Sequence, residues 1–443
     1  MSAPMGPFHP TRWPERLPQR YWLAQAKVPA SLLEVPASQP VALLIEQGRI
    51  AAIEPRAPGG AATFDLQGAL VFTAWVDVHT HLDKGDLLAA GLSAERDLFA
   101  AGARVRDDYA RWTESELRTR IGFALRSALA HGTRALRSFV DEPRLAGALA
   151  WRVMRDLKLE WVDRLDLHLS SLTRIDELAD AGNAETLARI VSEARAALGL
   201  FIYPGAPVEL LPRAFDLAER FDLHLDFHVD EHLDPPLANL GPIARLARER
   251  GWGARTVCGH ACVLGALAPA EREALLDEVA ASGLALVSLP YTNLWLQDSG
   301  NPGTARQTPR RRGLLPLHEA RARGIPLALG SDNHRDPFFP GGDLDPLQAL
   351  ALAANAAQLD DPAQNWADTI TRMPAAMLGL RWDGVLRPGA PADLVLHPAR
   401  HSAELCARAA SGRQVLRAGQ RLAGAAAMLP DFRELDGLRA PPR

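Results

Sequence analysis

The chain has 443 residues and a formal net charge of −4, and 47% of its residues are hydrophobic. This composition is ordinary for a globular protein, and the length predicts a large barrel with a small added domain. No apolar run is long enough to span a membrane and no basic run occurs, which argues against a membrane protein and against a nucleic-acid partner.

The three cysteines, Cys258, Cys262 and Cys406, are too few for a disulfide framework and indicate a reducing compartment. Because the N-terminus also lacks an apolar signal core, we expect a cytoplasmic protein. Cys258 and Cys262 flank His260, as in a zinc knuckle, but packing of small residues at a strand end is the stronger interpretation.

The N-terminal part of the chain predicts a small β-structure. Residues 1–40 are rich in proline and are expected to be irregular surface chain. Residues 41–45 and 49–53 flank a Gln-Gly pair and predict a β-hairpin. Further strands are expected near Phe64 and over 69–72.

Eight apolar, strand-like runs follow, with helical segments between them. They are the run ending at His79 and the runs 135–140, 165–169, 199–203, 223–229, 256–260, 284–289 and 325–330. The predicted helices are 114–130, 185–197, 207–221, 242–251, 269–281 and 316–324. This alternation, at about 30 residues per unit, predicts the α/β class and a (β/α)8 TIM barrel. The longer gap 83–118 predicts a lid over the site.

After Leu380 the pattern returns to short strands. Residues 385–396 predict two strands around a Pro-Gly turn, and 414–422 predict another hairpin. We therefore expect a small β-sandwich domain formed by both chain termini, 1–70 plus 381–443, and a catalytic barrel domain over 71–380.

Histidines and carboxylates occur at the ends of the predicted barrel strands, where the functional residues of such barrels lie. They are His79 and His81 on the first strand, His228 and Glu231 at the fifth, His260 at the sixth and Asp332 at the eighth. The side chains of His79 and His81 point the same way because strand residues two apart share a face. That pair alone would also fit a hydrogen-bonded core, but four strand ends of this kind favour a metal centre.

These residue types are suited to metal-assisted hydrolysis. Three histidines and a carboxylate can hold a divalent ion that lowers the pKa of water. Asp332 can share the role of base, and Glu231 can protonate the leaving side. His260 can either ligate the ion or stabilise a developing oxyanion. Six other histidines serve as a comparison for this assignment. His131, His168, His224 and His318 are predicted to be structural or solvated, and His232 and His334 to border the site.

A single ion is predicted. Two-metal barrels of this kind commonly bridge their ions with a carboxylated lysine at the end of the fourth strand, which here reads Phe-Ile-Tyr-Pro-Gly over 201–205. The only lysines, Lys27, Lys84 and Lys158, lie elsewhere in the sequence.

These motifs resemble the amidohydrolase superfamily, and within it the cytosine deaminase-like branch. The matching segments are 79–83, 227–231, 259–260, 289–298, 311–313 and 331–338. The resemblance implies one zinc or ferrous ion held by His79, His81, His228 and Asp332. It also implies that Glu231 carries a proton to a ring nitrogen, with His260 beside the attacking water. The implied reaction is hydrolytic release of ammonia from an amino-substituted pyrimidine, triazine or purine-type ring.

The residues expected to read the substrate depart from the cytosine deaminase pattern. Residues 170–173 replace a glutamine that reads the pyrimidine edge, Phe139 replaces a histidine, Asn333 a carboxylate and Phe338 a tryptophan. We therefore expect cytosine to be a poor substrate and a ring with an apolar or bulkier face to be a better one. The predicted substrate contacts are Leu172, Gln297, Asn333, Asp336 and Phe338.

Two other functions stay open. One is hydrolysis of a cyclic amide or of an N-alkylamino ring substituent on the same metal centre, and the other is a catalytically silent barrel used for binding. Glu231 favours deamination because that reaction requires protonation of a ring nitrogen. The sequence predicts a small heterocyclic partner and leaves a homo-oligomer open.

Overall fold

The protein was analysed as a computed structural model, which describes residues 13–141, 148–300, 307–422, 424 and 428–439. Residues 1–12 of the segment predicted to be irregular lie outside this part. Within it, no helix combines the length and the apolar character that crossing a membrane requires.

The strands form three sheets within the described residues. The strands are β1 (Arg20–Ala26), β2 (Val41–Glu46), β3 (Arg49–Glu54), β4 (Ala62–Asp65), β5 (Leu70–Thr73), β6 (Trp75–Thr80), β7 (Thr133–Asp141), β8 (Asp166–Arg174), β9 (Leu198–Ile202), β10 (Leu225–Val229), β11 (Thr256–His260), β12 (Ala285–Ser288), β13 (Leu327–Leu329), β14 (Leu394–His397), β15 (Gln414–Arg417) and β16 (Gln420–Arg421).

The helices lie mainly between the barrel strands. They are α1 (Leu98–Asp108), α2 (Glu114–His131), α3 (Ala148–Glu160), α4 (Ala181–Glu193), α5 (Leu211–Phe221), α6 (Leu240–Glu249), α7 (Pro269–Ser282), α8 (Pro290–Leu296), α9 (Leu317–Ala322), α10 (Pro346–Ala356), α11 (Pro362–Asn365), α12 (Arg372–Met377) and α13 (Ser402–Ala407). Several begin at a capping carboxylate: Asp97 accepts from the backbone N–H of Ala100 and Asp180 from that of Asn183.

The eight strands β6 to β13 form one sheet in chain order, which confirms the predicted (β/α)8 barrel. Each of the eight predicted runs overlaps one of them. Thr80 forms a parallel bridge with Asp332, and the Asp332 N–H donates to the carbonyl of His79 at 2.9 Å. The first and last strands therefore meet at the residues predicted to bind metal.

The barrel strands are apolar because both of their faces are covered. Every residue of β6, β10 and β11 is buried, including the histidines. Burying an imidazole is costly unless it has a partner, so buried histidines on such strands indicate a binding site more strongly than histidines on a solvated surface do.

Several local predictions were wrong or incomplete. The N-terminal segment contains a strand, β1, which lies between β2 and β4 in its sheet and takes its stability from that tertiary pairing. Only the last three residues of 385–396 belong to a strand, because the rest makes two isolated bridges, Leu386 with Leu33 and Pro391 with Arg49. Helix α1, in the segment predicted to be a lid, was not predicted.

The chain divides into two compact units. One comprises Met1–Val76, Arg126–Arg134 and Asp345–Pro430, and the other comprises Asp77–Leu125, Ala135–Leu344 and Asp431–Arg443. The predicted boundaries at residues 70 and 380 stay a prediction.

The first unit holds two four-stranded sheets, ordered β3-β2-β1-β4 and β16-β15-β14-β5. The second of these sheets pairs β5 with strands from the C-terminal part of the chain. The phenol of Tyr21 on β1 donates to the carbonyl of Gly419 at 2.6 Å, in the buried space between the sheets. Both ends of the chain thus contribute strands to this unit, as the sequence predicted.

Candidate metal centre and substrate cleft

Three imidazole nitrogens and one carboxylate oxygen converge inside the barrel. The Nε2 atom of His228 lies 3.1 Å from Nε2 of His79 and 3.2 Å from Nε2 of His81. Oδ1 of Asp332 lies 3.2 Å from Nε2 of His81 and 3.6 Å from Nε2 of His79. The structure therefore brings together the four residues that the resemblance implied as ligands.

This set of donors fits one divalent ion. Neither carboxylate oxygen of Asp332 accepts a hydrogen bond of normal geometry from the described residues, although both are buried. Burial, and then nearby positive groups, lower the pKa of His79, His81 and His228 well below the usual value. Neutral imidazoles together with a carboxylate are the ligand types that zinc and ferrous iron take.

Small and aromatic neighbours set the direction of the ligand rings. A Cβ added at Gly259 would lie 2.8 Å from Cε1 of His79, and one at Gly330 would lie 3.0 Å from its Cβ. The ring of Phe139 packs 4.5 Å from that of His79 and 4.4 Å from that of His228. The residue that replaces the histidine of cytosine deaminases is therefore a packing partner of the ligands.

The backbone at these strand ends is strained. Asp230, His260 and Asp332 have positive φ angles of 55°, 70° and 60°. Left-handed conformations of residues other than glycine cost roughly 1–3 kcal/mol each and cluster at functional sites. These positions lie at or just after the ends of β10, β11 and β13, where the chain leaves the barrel strands.

Glu231 and His260 lie next to each other beside the ligand set. Oε1 of Glu231 is 3.4 Å from Nδ1 of His260, and the side-chain amide of Asn293 is 3.0 Å from the same nitrogen. Burial, and then the charge of Asp332, raise the pKa of Glu231 well above its usual value. Burial lowers the pKa of His260 to about 4. A buried carboxyl with a raised pKa beside an imidazole with a lowered pKa forms a pair that is suited to proton transfer.

A cleft of about 810 Å³, part of it open to solvent, reaches these groups. Three predicted substrate contacts, Leu172, Asn333 and Phe338, line it together with His81, His228, Glu231 and His260. Helix α1 forms part of the wall through Phe99, Gly102 and Arg106. The segment predicted to be a lid therefore contributes directly to the cleft.

Two other predicted contacts lie behind the cleft lining. The Gln297 amide donates to the backbone carbonyl of Glu231 at 3.1 Å, and Asp336 accepts from the side-chain amide of Asn333 at 2.8 Å. Both are buried, so they are placed to hold Glu231 and Asn333 in position. His232 and His334 also lie outside the cleft lining.

The sequence analysis missed a polar group in the cleft, formed by Lys84, Asp141 and Tyr109. Nζ of Lys84 lies 3.1 Å from both carboxylate oxygens of Asp141, and the Tyr109 hydroxyl donates to the same carboxylate at 3.1 Å. The Lys84 ammonium also lies 4.6 Å from the ring centre of Phe338. The scarcity of lysine was the available signal, but it was used only to count metal ions.

Comparisons with known proteins agree with this geometry. A model of the amidohydrolase family matches residues 160–423. A pterin deaminase of Rhizobium rhizogenes (strain K84) is 34% identical over 427 residues, which are 94% of this chain and 96% of that protein. An N-isopropylammelide isopropyl amidohydrolase of Pseudomonas sp. (strain ADP) is 27% identical over 366 residues, covering 79% of this chain and 85% of that protein.

A solved structure gives the same result for the fold. The 5-methylcytosine deaminase of Klebsiella pneumoniae, liganded with 5-fluorocytosine, is 25% identical and has a TM-score of 0.79, covering 91% of this chain and 97% of that chain. The predicted superfamily and its deaminase-like branch are confirmed by these relatives.

Proposed function

The chain belongs to the amidohydrolase family, and we propose that it hydrolytically deaminates an amino-substituted bicyclic heteroaromatic ring of the pterin type. The observation that carries this proposal is the buried acid of Glu231 beside His260, in one cleft with the ligand imidazoles. Hydrolytic deamination of a heteroaromatic ring is the activity named for the pterin deaminase relative.

The proposed reaction exchanges an amino group for oxygen. Water adds to the ring carbon that bears the amino group, one of its protons passes through Glu231 to the neighbouring ring nitrogen, and the other goes to the amino group. The carbon–nitrogen bond then breaks, so that ammonia leaves and a carbonyl remains. His260 is placed to hold the attacking water, and Asn293 orients His260.

We assign one ion, zinc or ferrous iron, to His79, His81, His228 and Asp332. When bound there, it would supply the Lewis acidity that lowers the pKa of the attacking water. A second cluster, His81, Asp83 and Asp141, has ligand atoms within 4.8 Å of one another. The Lys84 ammonium already pairs with both oxygens of Asp141, which supports a single ion.

Lys84 and Asp141 are proposed to replace the missing glutamine as the readers of the ring edge. A pterin carries a carbonyl next to a ring N–H, and this edge requires one donor and one acceptor. An ammonium has three donors and a carboxylate about four acceptor sites, so the pair can bind each other and the ring together. Leu172 and Phe338 then contact the ring faces.

The state of the cysteines bears on where the protein is located. Cys258, Cys262 and Cys406 are free thiols, which supports the proposed reducing, cytoplasmic compartment.

The second candidate reaction is removal of an N-alkylamino substituent from a ring on the same metal centre. The observation that favours it is the likeness to the isopropyl amidohydrolase.

The substrate prediction is tested with a panel of heterocycles and the purified metal-loaded protein. We expect ammonia release from pterin with a kcat/KM of about 10⁴ M⁻¹s⁻¹ or more, and a value at least about a hundredfold lower for cytosine. Ammonia and alkylamine are measured separately on amino and N-isopropylamino triazines. Cytosine turnover equal to that of pterin, or alkylamine as the main product, would contradict the proposal.

A second prediction tests the ring-edge readers. Lys84→Met should lower kcat/KM for pterin by about ten- to a hundredfold, because a charge-assisted hydrogen bond is lost. The analogue that lacks the ring carbonyl should be affected by no more than about threefold, since it never made that bond. Lys158→Met is the matched control, because Lys158 is half-buried and, among the described residues, donates to the carbonyls of Ala194 and Arg195 outside the cleft lining. Equal losses on both substrates would assign Lys84 a purely structural role.

A further inference from the structure

A buried ion cluster lies at the end of helix α1, which forms part of the cleft wall and is called here the substrate wall. The cluster includes Arg439, from the C-terminal part of the chain. Arg439 binds two carboxylates: Nη1 lies 2.6 Å from Oδ1 of Asp108, and Nη2 and Nε lie 2.6 and 2.8 Å from the oxygens of Glu116. The Arg439 side chain is only 9% exposed, and those of Asp108 and Glu116 are 5% and 4% exposed. Such a geometry is far stronger than an ordinary surface ion pair.

The cluster reaches the substrate wall through Asp108. Asp108 is the last residue of α1, the helix that lines the cleft through Phe99, Gly102 and Arg106. The next residue, Tyr109, donates to Asp141 in the cleft. The Trp112 indole also donates to Asp108, at 2.9 Å, so this carboxylate ties together the helix end and the turn that follows it.

The same cluster is connected through Glu116 to the loop after β6, residues 81–85, which carries the proposed ligand His81 and is called here the metal-bearing loop. Arg120 is fully buried, and its Nε donates to Glu116 at 3.1 Å. Its Nη1 donates to the backbone carbonyls of Asp83 and Gly85, at 2.8 and 2.6 Å. These carbonyls follow His81 closely in sequence, so Glu116 shares its oxygens between Arg439 and Arg120, and Arg120 in turn holds the loop after His81.

The segment that carries Arg439 is anchored at two further points. The ring of Phe432 packs 5.5 Å from that of Phe123, and the Arg335 guanidinium lies 5.0 Å from the Phe432 ring. Arg335 also pairs with Asp86 at 2.6 Å, and Leu435 is buried. Residues 431–439, named here the latch segment, therefore pack against the rest of the second unit.

We propose that the latch segment positions the substrate wall: Arg439 holds α1 and the metal-bearing loop in their working arrangement, so the segment governs substrate affinity. Without Arg439, the two buried carboxylates lose the cation that they share: Glu116 keeps Arg120 at 3.1 Å, and Asp108 keeps Arg111 at 3.7 Å, whose side chain is 54% exposed. The buried group then carries more negative charge and Asp108 is no longer tied to Glu116, so the end of α1 moves. Among the described residues Glu231 takes no part in these contacts, so the turnover step is expected to stay intact. The affinity part of this inference rests on the proposed deaminase function, whereas the structural part does not.

The test compares two arginines of one segment in the full-length protein. Arg439→Met should speed amide hydrogen exchange in 98–112 by about tenfold and raise KM for pterin by about tenfold, with kcat within about twofold. Arg433→Met is the control, because within the described part of the chain Arg433 pairs with Asp431 of the same segment and its side chain is 83% exposed. Arg439→Lys should recover at least half of the exchange protection, since it restores the charge.

The outcomes separate the two proposals. Faster exchange in 98–112 supports the latch even if pterin proves not to be a substrate, which would contradict only the proposed function. Unchanged exchange with unchanged KM would overturn the latch. A loss of kcat equal to the rise in KM would also overturn it, because that pattern is typical of general damage to the site. If Arg439→Met does not fold, the exchange and KM of Arg439→Lys decide by the same criteria.

Discussion

His81→Ala is expected to remove the bound metal and abolish turnover while the barrel stays folded. Wild-type protein should carry about one divalent ion per chain, because three imidazole nitrogens and one carboxylate oxygen converge on one place, which suits a single ion. Loss of one ligand should weaken metal binding by more than the roughly 10–100-fold that loss of an outer partner costs. The measurement is elemental analysis after dialysis, together with ammonia release.

The barrel should survive this change because His81 lies at the catalytic end of the barrel, just after β6, and not in its packed centre. His168→Ala is the matched control: His168 also belongs to a barrel strand, β8, but its side chain is 27% exposed and outside the cleft lining. The control should keep metal and activity. Two ions per wild-type chain, or full metal content in His81→Ala, would contradict the assigned ligand set.

The convergence of the four proposed metal ligands was predictable because it follows from local rules. The two-residue spacing of His79 and His81 fixes a shared face, and the barrel rule gathers His228 and Asp332 at the same end. The measured convergence, with Nε2 atoms 3.1 and 3.2 Å apart, is the direct consequence of those rules. Neither rule depends on knowing how the loops run.

The substrate side was less predictable because it depends on loops and distant pairing. Lys84 faces Asp141 across 57 residues, and Arg439 meets Asp108 across 331 residues. No periodicity links such positions in the sequence. Gln297 and Asp336 were predicted to contact the substrate, which stays a prediction, and the structure places both outside the cleft lining. Sequence position shows that a residue is near a site but not which way its side chain points. Strand β1 was missed for a similar reason: its pairing with β2 and β4 is tertiary.

Glu231→Gln is expected to keep the metal and to lower kcat by about 10²–10⁴-fold, the usual contribution of a positioned acid–base group. Glutamine has nearly the same shape and can still contact His260, but it can neither receive the proton of the attacking water nor deliver one to the ring. The raised pKa of Glu231 shows the environment that suits the acid role: burial comes first and the charge of Asp332 second. Glu249→Gln, at the exposed end of α6, is the control.

Three measurements on Glu231→Gln separate the possible causes of a rate loss. Metal content should stay at about one ion per chain, because Glu231 is not one of the four converging ligands. Substrate dissociation constants should change by no more than about threefold, because the interaction that is lost acts in the transition state and not in ground-state binding. A variant that turns over at a near-normal rate would remove Glu231 from the proton path and leave His260, 3.4 Å away, as the remaining candidate for that role.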